Sequence, residues 1–297
     1  MRRAAWLTLG VLLGSIGSLA APAGLRAQAW TRAQGAGFAA LSYRSITANA
    51  FMAPDGTKRE LPTTFRQHSI GFYGEVGIID RYLTLSVDGE PFRYAQLDEQ
   101  GATYGLGDLR VGAFTGVLVA PFHLALGAQL GLPSGDPRPN GPPGDVEAQQ
   151  VARSLPTGDG EWDVNLRAVA GHSFGNTGNY PLSHWVVGDV GYWVRTRGFF
   201  DAITYRAEIG TKIAREVWDR FALILRIAGV QSFAGKNAGA GFIGLGDGVS
   251  YTSWSVDLMA TIHPQFGIII GVDGAFRGMS VPAAPAYKMT LFTSFGS

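Results

Sequence analysis

The chain of 297 residues contains no cysteine. This absence excludes disulfides, cysteine nucleophiles, thiolate metal sites and a lipidated N-terminal cysteine. Charged residues are also scarce, at 16% of the chain against roughly 25% in soluble domains. The formal net charge is only +1, so the balance of charge gives no indication of a nucleic-acid partner.

The first 29 residues have the organisation of a secretory signal peptide. Arg2 and Arg3 precede an apolar stretch of small residues over 4–20, and Ala27-Gln28-Ala29 matches the A-x-A cleavage pattern. Cleavage after Ala29 would leave residues 30–297 as a single mature domain. The alternative is an uncleaved N-terminal membrane anchor.

No segment of the mature chain has the pattern of a transmembrane helix. Residues 111–133 are nearly uncharged, but Pro121 lies in their middle, and large and small residues alternate after it. Leu124, Leu126 and Leu130 would share one face of a strand. The alternation predicts a β-hairpin with its turn at Pro121.

The same alternation recurs along the whole chain and predicts twelve strands. They cover 38–47, 69–76, 83–88, 108–117, 122–132, 163–171, 185–195, 203–210, 221–227, 253–262, 266–273 and 287–291. One face of each strand is apolar, and the other carries Gly, Ser, Thr, Asn and isolated charges. Many of the 42 glycines fall on this second face, where they fit a curved wall crowded with inward side chains. We therefore predict an all-β fold, a transmembrane antiparallel up-and-down β-barrel with both termini periplasmic.

The connections between the predicted strands alternate in length, as in transmembrane barrels. Long connections are expected at 49–64, 133–160 and 234–249, a medium one at 95–103, and short turns at 79–82, 119–121 and 263–265. Aromatic residues near the strand ends are expected to form two outward interface girdles. The short-turn girdle would contain Tyr82, Phe122, Trp185, Phe221 and Phe266, and the loop girdle Phe92, Trp162, Trp193, Tyr205, Trp254 and Phe276.

Three glycine-rich motifs carry a family resemblance. They are Tyr104-Gly105-Leu106-Gly107-Asp108-Leu109, Leu130-Gly131-Leu132-Pro133-Ser134-Gly135-Asp136 and the run Leu155-Pro156-Thr157-Gly158-Asp159 that continues to Val164. Together they resemble the outer-membrane transporters labelled "MetA-pathway of phenol degradation", over about residues 65–297. The resemblance implies a pore-like barrel for the uptake of aromatic or other hydrophobic compounds, with no catalytic residues to transfer.

The residues that could support catalysis or cofactor binding are not arranged to do so. Residues 239–244 match G-x-G-x-x-G but lack a surrounding βαβ unit, and no two histidines have metal-ligand spacing. His68-Ser69 and His172-Ser173 are adjacent, so their side chains point to opposite faces of a strand. We predict no enzyme activity, cofactor or metal, with a lipid-active outer-membrane enzyme as a less favoured alternative.

Inward-facing charges are the candidate functional residues. On the predicted register the side chains that project into the lumen are Glu75, Asp88, Glu90, Asp108, Arg110, Asp163, Arg167, Asp189, Arg206, Glu208, Arg226, Asp257 and Asp273. Mutual pairing across neighbouring strands explains them at least as well as solute selection does. Asp136 and Asp159, in twin Leu-Pro-x-Gly-Asp turns, could bind a cation, although turn formation accounts for the pattern.

The sequence therefore predicts a channel or transporter in a Gram-negative outer membrane, which takes up small, aromatic or hydrophobic solutes through its lumen. Its expected partners are outer-membrane lipids, the solute, and the barrel-assembly machinery during insertion. A non-conducting structural or surface-interaction barrel is the alternative. A continuous water path through the lumen would favour transport, and interlocked salt bridges would favour the scaffold.

Overall fold

The computed structural model describes residues 29–140, 146–175, 182–213, 220–234 and 243–296. Most of the predicted signal peptide, and most of the 239–244 glycine motif, lie outside these ranges. The strands are β1 Gly37–Met52, β2 Lys58–Ile79, β3 Leu83–Leu97, β4 Gly101–Gly105, β5 Leu109–Val119, β6 His123–Leu132, β7 Asp163–Phe174, β8 Leu182–Arg195, β9 Ala202–Ile213, β10 Phe221–Ser232, β11 Ser250–His263, β12 Phe266–Met279, β13 Val281–Pro282 and β14 Ala286–Phe295. One helix is described, α1 Val146–Ser154. None of the described helices combines the length and the apolar character needed to span a bilayer.

Twelve of these strands form a closed antiparallel barrel, which confirms the predicted fold. Consecutive barrel strands pair with each other, and β1 closes the sheet by pairing with both β2 and β14. Gly37 lies opposite Val76 on one side and opposite Phe295 on the other. The chain therefore enters and leaves the barrel at the same end, as an even strand number requires. The periplasmic position of that end stays a prediction. The short strands β4 and β13 pair with β3 and β1 outside the twelve.

The two ends of the barrel differ in the length of their connections. The short-turn end carries the connections at 80–82, 120–122 and 264–265, and the long-loop end carries those at 133–162 and 233–249. Two predicted loops were wrong. In place of the predicted loop at 49–64, strands β1 and β2 continue past a bulge near Ala48, and only five residues connect them. In place of the predicted loop at 95–103, β3 and β4 form a hairpin. Their Thr, Arg and Gln residues continue the ladder beyond the apolar belt, where hydrophobic alternation gives no signal.

The two faces of the wall follow the predicted register. Leu126, Leu258 and Ile270 are exposed on the outer surface, whereas Ala125 and Phe114 are completely buried on the inner side. Since these apolar outer side chains are exposed, the belt matches a hydrocarbon environment.

Glycines on the inner face make room for large side chains from neighbouring strands. An added Cβ would overlap the indole of Trp185 at Gly210, the ring of Phe114 at Gly127, and the ring of Phe292 at Gly267. This crowding confirms the interpretation of the glycine-rich face. It also corrects the girdles: Trp185 is buried in the lumen, and Trp193 shares its inward parity on β8. The predicted girdle positions of these two tryptophans were wrong because strand-end position was weighed above the alternation within the strand.

Candidate functional site in the barrel lumen

An apolar layer fills the lumen towards the short-turn end, and we call it the aromatic floor. Its aromatic members are Trp30, Phe38, Phe114, Trp185 and Phe292. Aliphatic side chains from β7, β8, β10 and β11 complete the layer, and all are almost fully buried. The floor therefore lies between the short-turn mouth and the middle of the lumen.

The segment before β1 forms part of this floor. Trp30 packs against the ring of His123, with 5.2 Å between their centroids, and covers Gly171. The guanidinium of Arg32 forms a buried salt bridge with Glu75, which also accepts a 2.5 Å hydrogen bond from the Tyr73 hydroxyl. Sequence reasoning missed this segment because it lacks strand periodicity. A signal was nevertheless present: the predicted cleavage site is followed directly by a tryptophan and, two positions later, by an arginine, which is unusual for an exposed terminus.

Above the floor, ion pairs link neighbouring strands around the wall. Asp189 pairs with both Arg167 and Arg206. Arg226 bridges Glu208 and Asp257 at 2.9 and 3.3 Å. The Trp185 indole N–H donates to Glu208 at 3.1 Å and so connects this layer to the floor.

Further pairs lie closer to the long-loop end. Arg44 donates to Asp273 at 2.7 Å, Lys288 lies 2.9 Å from Asp257, and Arg110 lies 3.8 Å from Asp88. We call the side chains of these seven pairs the lumen ion-pair ring; they are Arg44, Asp88, Arg110, Arg167, Asp189, Arg206, Glu208, Arg226, Asp257, Asp273 and Lys288. Seven members of the ring line a cavity of about 540 Å³, the central chamber, which Trp193, Tyr251 and Leu245 also line; the seven are Asp88, Arg110, Arg167, Asp189, Arg206, Glu208 and Arg226.

Two long loops cover the chamber at the long-loop end. Asp108 holds the twin Leu-Pro-x-Gly-Asp turns together, because its carboxylate accepts the backbone N–H groups of Gly135 at 3.0 Å and Asp159 at 2.7 Å. A Cβ on Gly135 would collide with the backbone of Gly158, so the turns pack in direct contact. The role of Asp108 is therefore to fasten a loop, which the sequence did not predict.

A second cluster fastens the other loop through Arg195. Its guanidinium pairs with Asp159 and Glu161 and donates to the carbonyl of Gly246 at 3.2 Å. Gly246 N–H in turn donates to Asp159 at 2.6 Å. Burial raises the pKa of Glu161 to about 7, and the neighbouring Arg195 cation opposes that rise. We call Asp108, Asp159, Glu161, Arg195 and Gly246 the roof cluster.

The structure places most of the predicted lumen residues in the lumen ion-pair ring and the others in separate contacts of the inner wall and the roof cluster. Asp88, Arg110, Arg167, Asp189, Arg206, Glu208, Arg226, Asp257 and Asp273 belong to the lumen ion-pair ring, Glu75 pairs with Arg32, and Glu90 pairs with Arg93. Asp163 is buried beside Gly131. In the twin turns Asp136 accepts from the Arg138 N–H, and Asp159 belongs to the roof cluster. Among the described residues no cluster of three metal-ligand side chains occurs.

The histidines of the alternative enzyme hypothesis make ordinary wall contacts. His68 hydrogen-bonds to the Tyr43 hydroxyl at 2.8 Å, and His172 to the carbonyl of Pro121 at 3.0 Å. His184 hydrogen-bonds to Thr211 at 3.0 Å on the outer face. These contacts tie neighbouring strands and the Pro121 turn together.

Comparisons with known proteins support the fold. No protein-family model matches the sequence, and no curated protein matches it. The COG4313 outer membrane channel from Pseudomonas putida F1 is similar in structure, with a TM-score of 0.60 at 16% identity, over 91% of this chain and 98% of that one. The NanC porin aligns with a TM-score of 0.47 at 6% identity, over 86% of this chain and 100% of its own. The KdgM porin aligns with a TM-score of 0.42 at 12% identity, over 86% and 99%. The resemblance to the MetA-pathway family stays a prediction.

Proposed function

We propose that this protein is an outer-membrane channel that takes up small solutes through its lumen. The central chamber carries the proposal. A barrel that served as a scaffold alone would fill its lumen with side chains, as narrow barrels do. Here a cavity of about 540 Å³ remains between the aromatic floor and the roof cluster, and charged side chains line it.

The outer surface supports the membrane location. Apolar side chains cover the outside of every barrel strand. Exposed aromatic residues flank this belt at both ends, with Tyr82 and Phe122 at the short-turn end and Trp162 and Phe276 at the long-loop end. Outer-membrane lipids and, during insertion, the barrel-assembly machinery are the corresponding partners. The family resemblance noted in the sequence suggests aromatic or hydrophobic compounds as solutes.

In this proposal the floor and the roof control passage. The roof cluster would release solute into the chamber, and solute would leave when the floor rearranges at Trp30 and Trp185, or sideways through the wall if it is apolar. A buried ion pair holds each barrier: Arg32–Glu75 at the floor and Arg195–Glu161 at the roof.

The scaffold remains the second candidate, and a specific observation favours it. The lumen ion-pair ring interlocks strands around the wall, and the floor beneath it is densely packed. These features stabilise a barrel whether or not it conducts.

Single-channel recording distinguishes the two functions. Purified mature protein in planar bilayers should show small, discrete conductance steps. Trp185→Ala should increase the step size because it removes one of the two tryptophan side chains of the floor. Val190→Ala on the outer face of the same strand is the matched control and should leave the steps unchanged. If neither the unaltered protein nor Trp185→Ala conducts, the channel proposal is wrong and the scaffold is supported.

A further inference from the structure

The acidic and basic side chains around the central chamber balance in number but differ in exposure. Five carboxylates and five guanidiniums line it. In all seven pairs of the lumen ion-pair ring, the cation is more exposed than its acidic partner. The side chain of Arg226 is 25% exposed, against 2% for Glu208, and Arg206 is 23% exposed, against 4% for Asp189. In these pairs the carboxylates lie against the wall and the longer guanidiniums cover them, whereas in the roof pair Arg195–Asp159 the carboxylate is the more exposed group. Below the roof, a solute in the chamber therefore meets mostly positive groups.

Two of these guanidiniums retain unused hydrogen-bonding capacity. Arg110 is 42% exposed, and its nearest carboxylate is Asp88 at 3.8 Å, beyond hydrogen-bond distance. On Arg206, the Nε and Nη2 groups are buried and have no hydrogen-bond acceptor among the described residues, although Nη2 lies 3.1 Å from Asp189. Since a guanidinium presents up to five donors in a fork that matches a carboxylate, the exposed Arg110 can bind an anion without breaking an existing hydrogen bond, whereas the unpaired donors of Arg206 are enclosed by protein.

An aromatic surface lies next to the more exposed of the two. The Arg110 guanidinium carbon is 5.8 Å from the centre of the Trp193 ring, and the Arg195 guanidinium is 4.4 Å from the same ring. A planar apolar group that replaced the more distant Arg110 guanidinium at the Trp193 ring would leave that guanidinium to pair with an anionic group attached to it. The cavity of about 540 Å³ has room for a one-ring molecule together with water.

From this arrangement we propose that the chamber selects anions and that its solute is a small aromatic carboxylate. The carboxylate pairs with Arg110 in competition with Asp88, and the ring packs on Trp193. This inference rests on the proposed channel function, and it narrows the solute class to ring compounds that carry a negative charge.

The test uses the mature barrel in planar bilayers and benzoate as the probe, with benzyl alcohol and acetate as its neutral and ring-free counterparts. We expect a reversal potential that shows chloride preferred over potassium, and stronger current block by benzoate than by either counterpart. Arg110→Gln should weaken the benzoate effect about tenfold, because it removes a charge-assisted hydrogen bond to the carboxylate. Arg59→Gln, at an exposed position near the long-loop end, is the matched control and should change nothing.

Trp193→Leu separates the two parts of the site. It should reduce the preference for benzoate over acetate about fivefold, from lost ring packing, while chloride selectivity persists. A cation-selective lumen, or equal block by benzoate and benzyl alcohol, would overturn the inference while leaving the channel function intact.

Equilibrium binding keeps this inference distinct from conduction. Calorimetry in detergent should detect benzoate binding that Arg110→Gln weakens, even in a barrel that does not conduct. Binding without conductance would refute the channel and retain the anion site. Conductance without benzoate binding would refute the site and retain the channel.

Discussion

The packing of Trp185 against Gly210 leads to a sharp prediction about the stability of the aromatic floor. The two residues pair across β8 and β9, and the Cβ of an alanine at position 210 would overlap the indole ring. The indole ring cannot move aside, because it is buried and its N–H donates a hydrogen bond to Glu208. Gly210→Ala should therefore lower the free energy of unfolding by about 1–3 kcal/mol, the usual cost of overpacking. Gly188→Ala is the matched control, since no atom lies within 4 Å of the added methyl group, and it should be neutral or slightly stabilising.

The assay is urea unfolding of the barrel in lipid vesicles, followed by tryptophan emission. Combination with Trp185→Leu gives a double-mutant cycle, in which Gly210→Ala should become less costly by about 1–2 kcal/mol because the smaller side chain relieves the overlap. If the two glycine substitutions cost the same, or if the cycle shows no coupling, then Trp185 does not occupy the lumen and the inner and outer faces of β8 have been exchanged.

Three further predictions concern the roof and the wall. Asp108→Ala removes the acceptor of two backbone N–H groups, so it should lower the local stability of the twin turns by about 3 kcal/mol. Trypsin should then cleave α1 faster, and Asp55→Ala, in an exposed turn, should leave that cleavage rate unchanged. Glu161 has a pKa of about 7 in the closed roof against an ordinary 4.5, so the opened roof binds fewer protons and opening becomes easier as pH rises through this interval. Acrylamide quenching of tryptophan emission should increase accordingly, and the increase should be absent in Glu161→Gln. Leu126→Arg on the lipid-facing side should impair insertion by about 2–4 kcal/mol, measured by vesicle folding yield, whereas greater impairment by Gln129→Arg would reverse the assigned faces.

The strand periodicity was sufficient to predict the barrel, because a residue's parity within a strand is preserved across each ladder. Once Glu208 is inward, its cross-strand partners Arg226 and Val187 must be inward too. Parity explains in this way the predicted lumen residues that lie within regular ladders, but not Glu90 at the irregularity of β3 or Asp108 ahead of β5. Boundaries were less predictable, since β1, β2 and β3 continue as polar ladders above the apolar belt.

Side-chain partnerships between distant segments were beyond the reach of the sequence. The parity of Asp108 places it inward, but nothing local shows that it binds two turns that lie 27 and 51 residues away. The contribution of Trp30 and Arg32 to the floor depends on the closed barrel, which exists only after all strands have paired. Trp185 is a different case. Its predicted girdle position was wrong, although its parity relative to Asp189 on the same strand already indicated an inward side chain.

The position of the chain before β1 has a practical consequence for anyone who handles this protein. Ala29 and Trp30 lie inside the cylinder, with Arg32 tied to Glu75. An affinity tag or fluorophore fused at the predicted cleavage site, directly before Trp30, would therefore have to leave the lumen alongside these contacts. It would disturb the aromatic floor. At Gly56, in the turn between β1 and β2, an added Cβ would have no atom within 4 Å, so a label inserted in this turn should leave the interior undisturbed.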